Sequence, residues 1–282
     1  MQKKSSMQGK ICLVTGGTSG IGLATAWQLA RLDATVVITA RDEQRGQAAL
    51  QKIAQKSGSS NLHLLIADFS SLDQTRQLAS DFQAQFPALH VLINNAGTIP
   101  KKRKISQDGY EIQFAVNHLA PFLLTNLLLP LIKTSAPARI ITVSSMVHSW
   151  GSLDLNDLQS AKGYDPSSVY AMTKLANILF TTELAARLDG IEVTANSLHP
   201  GVIDTKLYRG YMGMSGNDDA SESELEDGAA TSVYLASSEE GGQVSSKYFS
   251  RQRQASTSAL SQDKDLAERL WRASEKLTGL VT

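Results

Sequence analysis

Short apolar runs rich in β-branched residues alternate along this chain with longer stretches of helical period, and that alternation leaves few architectures open. Strands are predicted at Ile11–Thr15, Thr35–Thr39, Leu62–Ala67, Val91–Asn94, Arg139–Ser144 and Val193–Leu198, with a short last one near Lys247–Phe249. Helices are predicted between them at 21–32, 42–56, 72–85, 110–132, 167–188 and 226–237. Repeated β-α units pair their strands in parallel and place the helices on both faces of the sheet. The expected fold class is therefore α/β, a doubly wound parallel sheet of about seven strands.

At 282 residues the chain fits one large unit spanning 1–282, and no internal repeat breaks it. Leu207–Asp227, rich in Gly, Ser and acidic residues, reads as a lid over a pocket. Residues 260–282 read as a C-terminal helical extension, with Leu266, Leu270 and Leu277 on its apolar face. Lys plus Arg and Asp plus Glu both number 27, so the net charge of zero offers no field for nucleic acid or anionic lipid. The one local excess, Lys101-Lys102-Arg103-Lys104, reads as a solvated loop. A single cysteine, Cys12, excludes an internal disulfide and a multi-cysteine metal site. It fits a reducing compartment, and a cytoplasmic location is expected. The start of the chain shows no apolar targeting stretch, and no integral membrane segment is expected. The most apolar stretch, Ala120–Ile132, is interrupted by Thr125, Asn126 and two prolines, so it reads as a buried helix.

The first strand runs into Thr15-Gly16-Gly17-Thr18-Ser19-Gly20-Ile21-Gly22 and then a helix. Glycine there permits a left-handed turn and a close approach of backbone to a pyrophosphate, whose charge the helix N-terminus attracts. The strand-turn-helix context separates this motif from a plain tight turn. With three residues between Gly16 and Gly20, it resembles the short-chain dehydrogenase/reductase family more than the common G-x-G-x-x-G pattern, and so implies a Rossmann fold. Other motifs of that family follow in order over roughly residues 9 to 250. They are Asp68, Asn94-Asn95-Ala96-Gly97, Asn117, Ser145, Tyr170-Ala171-Met172-Thr173-Lys174, and Pro200-Gly201 with Thr205.

The resemblance implies a dinucleotide site made of Gly16, Thr18, Ser19, Gly20, Ile21, Gly22, Arg41, Asp68, Phe69, Asn95, Ala96, Gly97, Tyr170, Lys174, Pro200, Gly201, Val202 and Thr205. Asp68 would meet the adenine amino group, Asn95 would steady the central strands, and Pro200 to Thr205 would flank the nicotinamide. Asp68 could instead cap the next helix, and the Asn-Asn-Ala-Gly run could be a simple turn. At the end of the second strand an acidic residue would bind the ribose 2′-hydroxyl, whereas this chain has Arg41, which favours NADP(H). Asp42 is open between a helix cap and a weak ribose acceptor, and Arg45 is a second candidate cation.

Tyr170 and Lys174 stand four apart on a helix and so share a face. An ammonium beside a phenol stabilises phenolate and should lower its pKa, which suits the pair to proton transfer. The resemblance completes a catalytic set of Asn117, Ser145, Tyr170 and Lys174. Ser145 would hold the substrate oxygen, and Asn117 a water leading to Lys174. Ser144 is the competing serine; the family pattern selects Ser145. His118, His148 and His199 lack metal-ligand spacing and read as packing or local hydrogen-bonding residues, and no metal is expected.

Ser145 and Tyr170 lie 25 positions apart, further than in the basic family pattern. That insert, containing Leu155-Asn156-Asp157-Leu158-Gln159, resembles the retinol-dehydrogenase-like branch. So do Lys174–Thr181 and the tail with Lys247-Tyr248-Phe249 and Arg269-Leu270-Trp271. The branch implies a small lipophilic aldehyde, ketone or alcohol as substrate. Without an expected membrane anchor, a broad carbonyl reductase is favoured over retinoid metabolism. Homodimeric and homotetrameric assembly are both left open. Two other readings stand beside this one: a regulatory protein that binds NADP(H) without turnover, and an enzyme similar to protochlorophyllide reductase, which shares the long insert.

Overall fold

The structure, a computed structural model, describes residues 6–204, 207, 209 and 220–280. Its β-α units follow the expected order: β1 Ile11–Val14, α1 Gly20–Ala30, β2 Thr35–Ala40, α2 Glu43–Ser57, β3 Leu62–Ile66, α3 Leu72–Gln85 and β4 Val91–Asn94. The next helical stretch, Ile112–Thr134, comprises α4 (Ile112–Phe114), a π-helical turn (Ala115–Leu119) and α5 (Ala120–Thr134). Then come β5 Ala138–Val143, a 3₁₀ turn Met146–Trp150, α6 Pro166–Arg187 and β6 Val193–His199. The remainder comprises α7 Glu222–Ser237, α8 Glu239–Gln243, β7 Tyr248–Ser250, β8 Arg253–Gln254 and α9 Lys264–Thr278.

Among the described residues the strands form one sheet in the order β3-β2-β1-β4-β5-β6-β7-β8, parallel except for β8. The chain leaves β1 toward β2 and β3, then returns to place β4 on the other side of β1. The carboxyl ends of β1 and β4 therefore flank the topological switch point, where loops diverge and leave a crevice. Both faces of the sheet are covered. Leu13, Val37 and Leu92 point into a core with α3, α5 and α6, while Cys12, Val14, Ile38 and Ile93 point into another with α1 and α7. This two-sided burial explains why the strands read as continuous apolar runs.

Two local expectations need correction. The eighth strand was not foreseen, because its two-residue hairpin uses Arg251 and Gln252 at φ 51° and 60°, where Asn-Gly would have announced it. The helix expected at 226 starts at Glu222, because Ser221 and Glu224 form a reciprocal capping box ahead of it. The expected lid lies mostly outside the described residues, as does Thr205.

Ile112–Thr134 is long and apolar enough to cross a membrane, yet 67% of its most apolar window is buried inside the protein, as a core helix requires. The C-terminal helix α9 is amphipathic, as its pattern predicted. It closes over α5 and α6 with Trp271 stacked on Phe180 at 5.8 Å and edge-on to Phe122 at 4.9 Å. His118 lies beneath it, with Nε2 2.9 Å from Ser274 Oγ, and burial pushes its pKa down to about 4, so it packs as a neutral ring.

Candidate active site

A cleft of about 800 Å³ opens at the carboxyl ends of the central strands, and the glycine loop, Arg41, Asn95, Ser145, Tyr170 and Lys174 all border it. Its size suits an extended small molecule. At one end the loop after β1 fits a dinucleotide for a steric reason. Gly16 has φ 68°, and a β-carbon on Gly22 would lie 2.4 Å from both Asn95 Nδ2 and the Gly16 carbonyl oxygen. Only bare backbone lets the first turn of α1 come this close to the sheet. Thr15 organises the turn: its hydroxyl donates to Ile93 O at 3.2 Å and accepts from the Asn95 and Ala96 amides at 2.9 and 3.0 Å. Asn95 Nδ2 in turn donates to Thr15 O at 2.8 Å, so Asn95 couples β4 to the glycine loop.

Arg41 borders the cleft at the end of β2 with Arg45 beside it. Asp42 is the N-cap of α2, accepting from the Arg45 amide at 2.9 Å, with its other oxygen 3.3 Å from Arg45 Nε. Its carboxylate is thus committed to the helix. Asp68 does not cap α3, since Ser71 does; Asp68 Oδ1 accepts from Ser70 N at 2.9 Å and shapes the loop beside Phe69. Ala96, Gly97, Pro200, Gly201 and Val202 also line the cleft, as do Thr18, Ser19, Gly20 and Ile21.

At the other end, β5 delivers Ser144 and Ser145 in alternation. Both line the cleft, but Ser144 is buried and its hydroxyl is committed to Lys174 O at 2.7 Å, which stitches strand to helix. Ser145 Oγ has a long contact of 3.4 Å from Val147 N, which uses an oxygen lone pair and leaves the hydroxyl proton free to donate. Lys174 Nζ donates to Val143 O at 2.9 Å and stands 5.4 Å from the centre of the Tyr170 ring.

The expectation that the ammonium lowers the Tyr170 pKa is not met. Tyr170 keeps part of its surface open to the cleft but is enclosed by protein on its other sides, and this desolvation pushes the phenol above its ordinary range. The same desolvation pushes Lys174 down to about 8. Burial outweighs the mutual effect because Nζ is aimed at a backbone carbonyl rather than at the phenolic oxygen.

Asn117 sits in the π-helical turn, a distortion that re-aims side chains inside a helix. Its Oδ1 accepts from Thr98 N at 2.7 Å, and its Nδ2 donates to Thr98 O at 3.0 Å and Thr173 Oγ1 at 3.1 Å. The side chain is therefore a brace between the loop after β4 and α6. Asn117 and Lys174 do converge on Gly97, where a β-carbon would lie 3.5 Å from Asn117 Oδ1 and 4.0 Å from Lys174 Nζ.

Met146 and Trp150 were not foreseen; together with the expected Val202 they border the cleft as large apolar groups that are 48%, 74% and 68% exposed, an unusual cost. No periodicity marks Met146 and Trp150, since they lie on a 3₁₀ turn. The Lys101–Lys104 run is exposed as expected, yet Lys104 borders the cleft and Arg103 donates to Gln159 O at 3.1 Å, tying the run to the insert.

Residues 10–212 match the model of the short chain dehydrogenase family. Retinol dehydrogenase 14 of Homo sapiens is 40% identical over 298 residues, covering 98% of this chain and 88% of that protein. Polyprenol dehydrogenase of Mus musculus is 40% identical over 282 residues, covering 96% and 84% respectively. Among solved structures, an uncharacterised protein from Mycobacterium paratuberculosis superposes with a TM-score of 0.82 at 32% identity, covering 98% of this chain and 96% of that one. Pseudomonas aeruginosa RhlG, solved as an active-site complex with NADP, gives a TM-score of 0.71 at 26% identity over 88% of this chain and 97% of that one. Agreement over this much of its length makes the chain a member of the short-chain dehydrogenase/reductase family, retinol-dehydrogenase-like branch, and thus an oxidoreductase of a family that uses nicotinamide cofactors.

Proposed function

We propose that the chain is an NADP(H)-dependent oxidoreductase that interconverts a lipophilic aldehyde or ketone and its alcohol, with Tyr170 exchanging the proton at the substrate oxygen. One observation carries the reading: the Ser145, Tyr170 and Lys174 group and the glycine loop with Arg41 border the same cleft. When bound, the cofactor supplies or takes up a hydride at nicotinamide C4. The glycine loop and the N-terminus of α1 hold the pyrophosphate, and Arg41 holds the 2′-phosphate that distinguishes NADP(H) from NAD(H).

Ser145 donates a hydrogen bond from its hydroxyl to the substrate oxygen and fixes its distance from Tyr170. In the reductive direction the Tyr170 phenol, kept protonated by burial, gives its proton to the oxygen as charge develops there. Lys174 then stands close enough to stabilise the phenolate left behind. The apolar side chains of Met146, Trp150 and Val202 beside the cleft suit a greasy substrate, in keeping with relatives named for retinol and polyprenol.

The test is NADPH and NADH consumption over a panel of aldehydes and ketones, with wild type and Tyr170→Phe. Turnover with NADPH that falls about 100-fold or more in the variant, at near-constant cofactor affinity, is the expected result. NADPH binding without consumption across the panel would instead identify a cofactor-binding regulatory protein.

A further inference from the structure

We propose that His148 is the positioning residue for Ser145, acting as a neutral imidazole protonated on Nδ1 and coupling the serine to the chain at Ser258. The functional half of this statement rests on the reading of Ser145 given above. His148 itself does not border the cleft and is only 3% exposed, so any effect on the reaction passes through its neighbours.

Ser145 leaves the sheet two residues after the end of β5, where ladder hydrogen bonds no longer fix the backbone. Its carbonyl oxygen receives two hydrogen bonds, both from His148: the amide at 3.1 Å and ring Nδ1 at 2.7 Å. On the far side of the ring, Nε2 lies 3.3 Å from the Ser258 amide nitrogen. A backbone amide only donates and a carbonyl only accepts, so Nε2 must be bare and Nδ1 must carry the proton. The tautomer is therefore set by two backbone groups that cannot exchange roles. Tyr248 packs against the same ring at 5.0 Å with an interplanar angle of 61°.

The other end of the turn leads to the tyrosine. Gly151 N donates to His148 O at 3.0 Å, and a β-carbon on Gly151 would lie 2.6 Å from the carbonyl oxygen of Ala171, the neighbour of Tyr170. His148 is thus the midpoint of a short rigid bridge between Ser145 and the Tyr170 turn of α6. Ser258 immediately precedes the 3₁₀ turn Ala259–Gln262 that leads into α9, so the bridge also ties the C-terminal segment to the site.

The tautomer is tested without turnover by ¹⁵N NMR of the histidine rings. The His148 ring should show a protonated Nδ1 and a bare Nε2; an Nε2-protonated ring overturns the proposal. The positioning role is tested with His148→Asn, whose Nδ2–H can replace the donor to Ser145 O, and with His148→Leu, which has no donor. A third variant, Ser258→Pro, removes the amide on Nε2 together with the serine hydroxyl while leaving the Ser145 contact in place; Ser258 already has φ −65°, which proline adopts.

His148→Leu and Ser258→Pro should lower kcat by about 10- to 100-fold while the Kd for NADPH stays within about twofold. His148→Asn should recover most of that loss. Losses that simply follow melting temperature, or that His148→Asn fails to relieve, would make the residue structural only. Ser145→Ala separates the two readings: if it abolishes turnover while the His148 variants do not, this inference fails alone, and if Ser145→Ala is itself fully active, the proposed function fails first.

Discussion

The Lys174 ammonium stands 5.4 Å from the centre of the Tyr170 ring and is held there by the Val143 carbonyl, 2.9 Å away, rather than by a carboxylate. That placement has a stability consequence. Burial lowers its pKa from 10.5 to about 8, so below pH 8 the folded protein carries the whole cost of a desolvated charge. Between about pH 8 and 10.5 the unfolded chain binds the proton more tightly than the native one, and the contribution of Lys174 to stability improves as pH rises. Lys174→Met should therefore be more stable than wild type at pH 7, by on the order of 1–3 kcal/mol, with the advantage shrinking toward pH 10. Asn177 Nδ2 remains within 3.4 Å of the Val143 carbonyl and limits the loss of the hydrogen bond. Urea denaturation at several pH values measures this; a difference that does not vary with pH would show that the lysine pays no burial cost.

Gly22→Ala should damage cofactor binding by steric means alone. The added methyl would meet the Gly16 carbonyl and Asn95 Nδ2 at 2.4 Å, and the carbonyl belongs to a backbone turn that cannot swing aside. Moving α1 outward costs about 1–3 kcal/mol of packing and opens the anion site, so affinity for NADPH should fall roughly 10-fold or more. A fluorescence titration of NADPH that returned the wild-type Kd would show that the loop does not depend on this close approach.

Trp150 gives a sharper probe of substrate class. At 74% exposure it contributes little to the fold, so Trp150→Ala should change stability by less than about 0.5 kcal/mol. If its ring covers a lipophilic substrate, KM should rise several-fold for long-chain aldehydes and stay constant for short, water-soluble ones. Equal KM changes for both would remove Trp150 from substrate recognition.

The sheet and the site were legible for different physical reasons. Two-sided burial wrote the strands as apolar β-branched runs, while the glycine loop and the Tyr170–Lys174 pair became legible only in their strand-turn-helix context and through the family resemblance that joins them to Ser145 and Asn117. The second arm of the β7-β8 hairpin was invisible because its turn residues, Arg251 and Gln252, carry no signal for positive φ. Electrostatics were misjudged for a related reason. Spacing puts a lysine next to a tyrosine but cannot say that the ammonium is spent on Val143 O and that both groups are desolvated. His148 illustrates the same limit, because its two partners, Ser145 and Ser258, are brought together only by the closure of the C-terminal segment on the site.

Cofactor choice rests on a single side chain and can be tested as such. Arg41 borders the cleft at the end of β2 and is exposed, so its guanidinium is accessible to a 2′-phosphate. The nearest acidic side chain in sequence, Asp42, is occupied by capping α2 and by Arg45 and does not present a ready acceptor for a ribose hydroxyl. NADPH should thus be preferred over NADH. In Arg41→Asp a carboxylate replaces the cation, repelling the phosphate and accepting from the hydroxyl that NADH offers in its place. If, as proposed, the glycine loop and α1 hold the pyrophosphate of either cofactor, the change should appear as selectivity rather than as general loss of binding. The ratio of kcat/KM for NADPH over NADH should fall by on the order of 10- to 100-fold, equivalent to about 1–3 kcal/mol. Parallel assays of both cofactors with one carbonyl substrate decide it: a wild type that favours NADH, or a variant with an unchanged ratio, would mean that Arg41 is merely a solvated residue at the end of a strand.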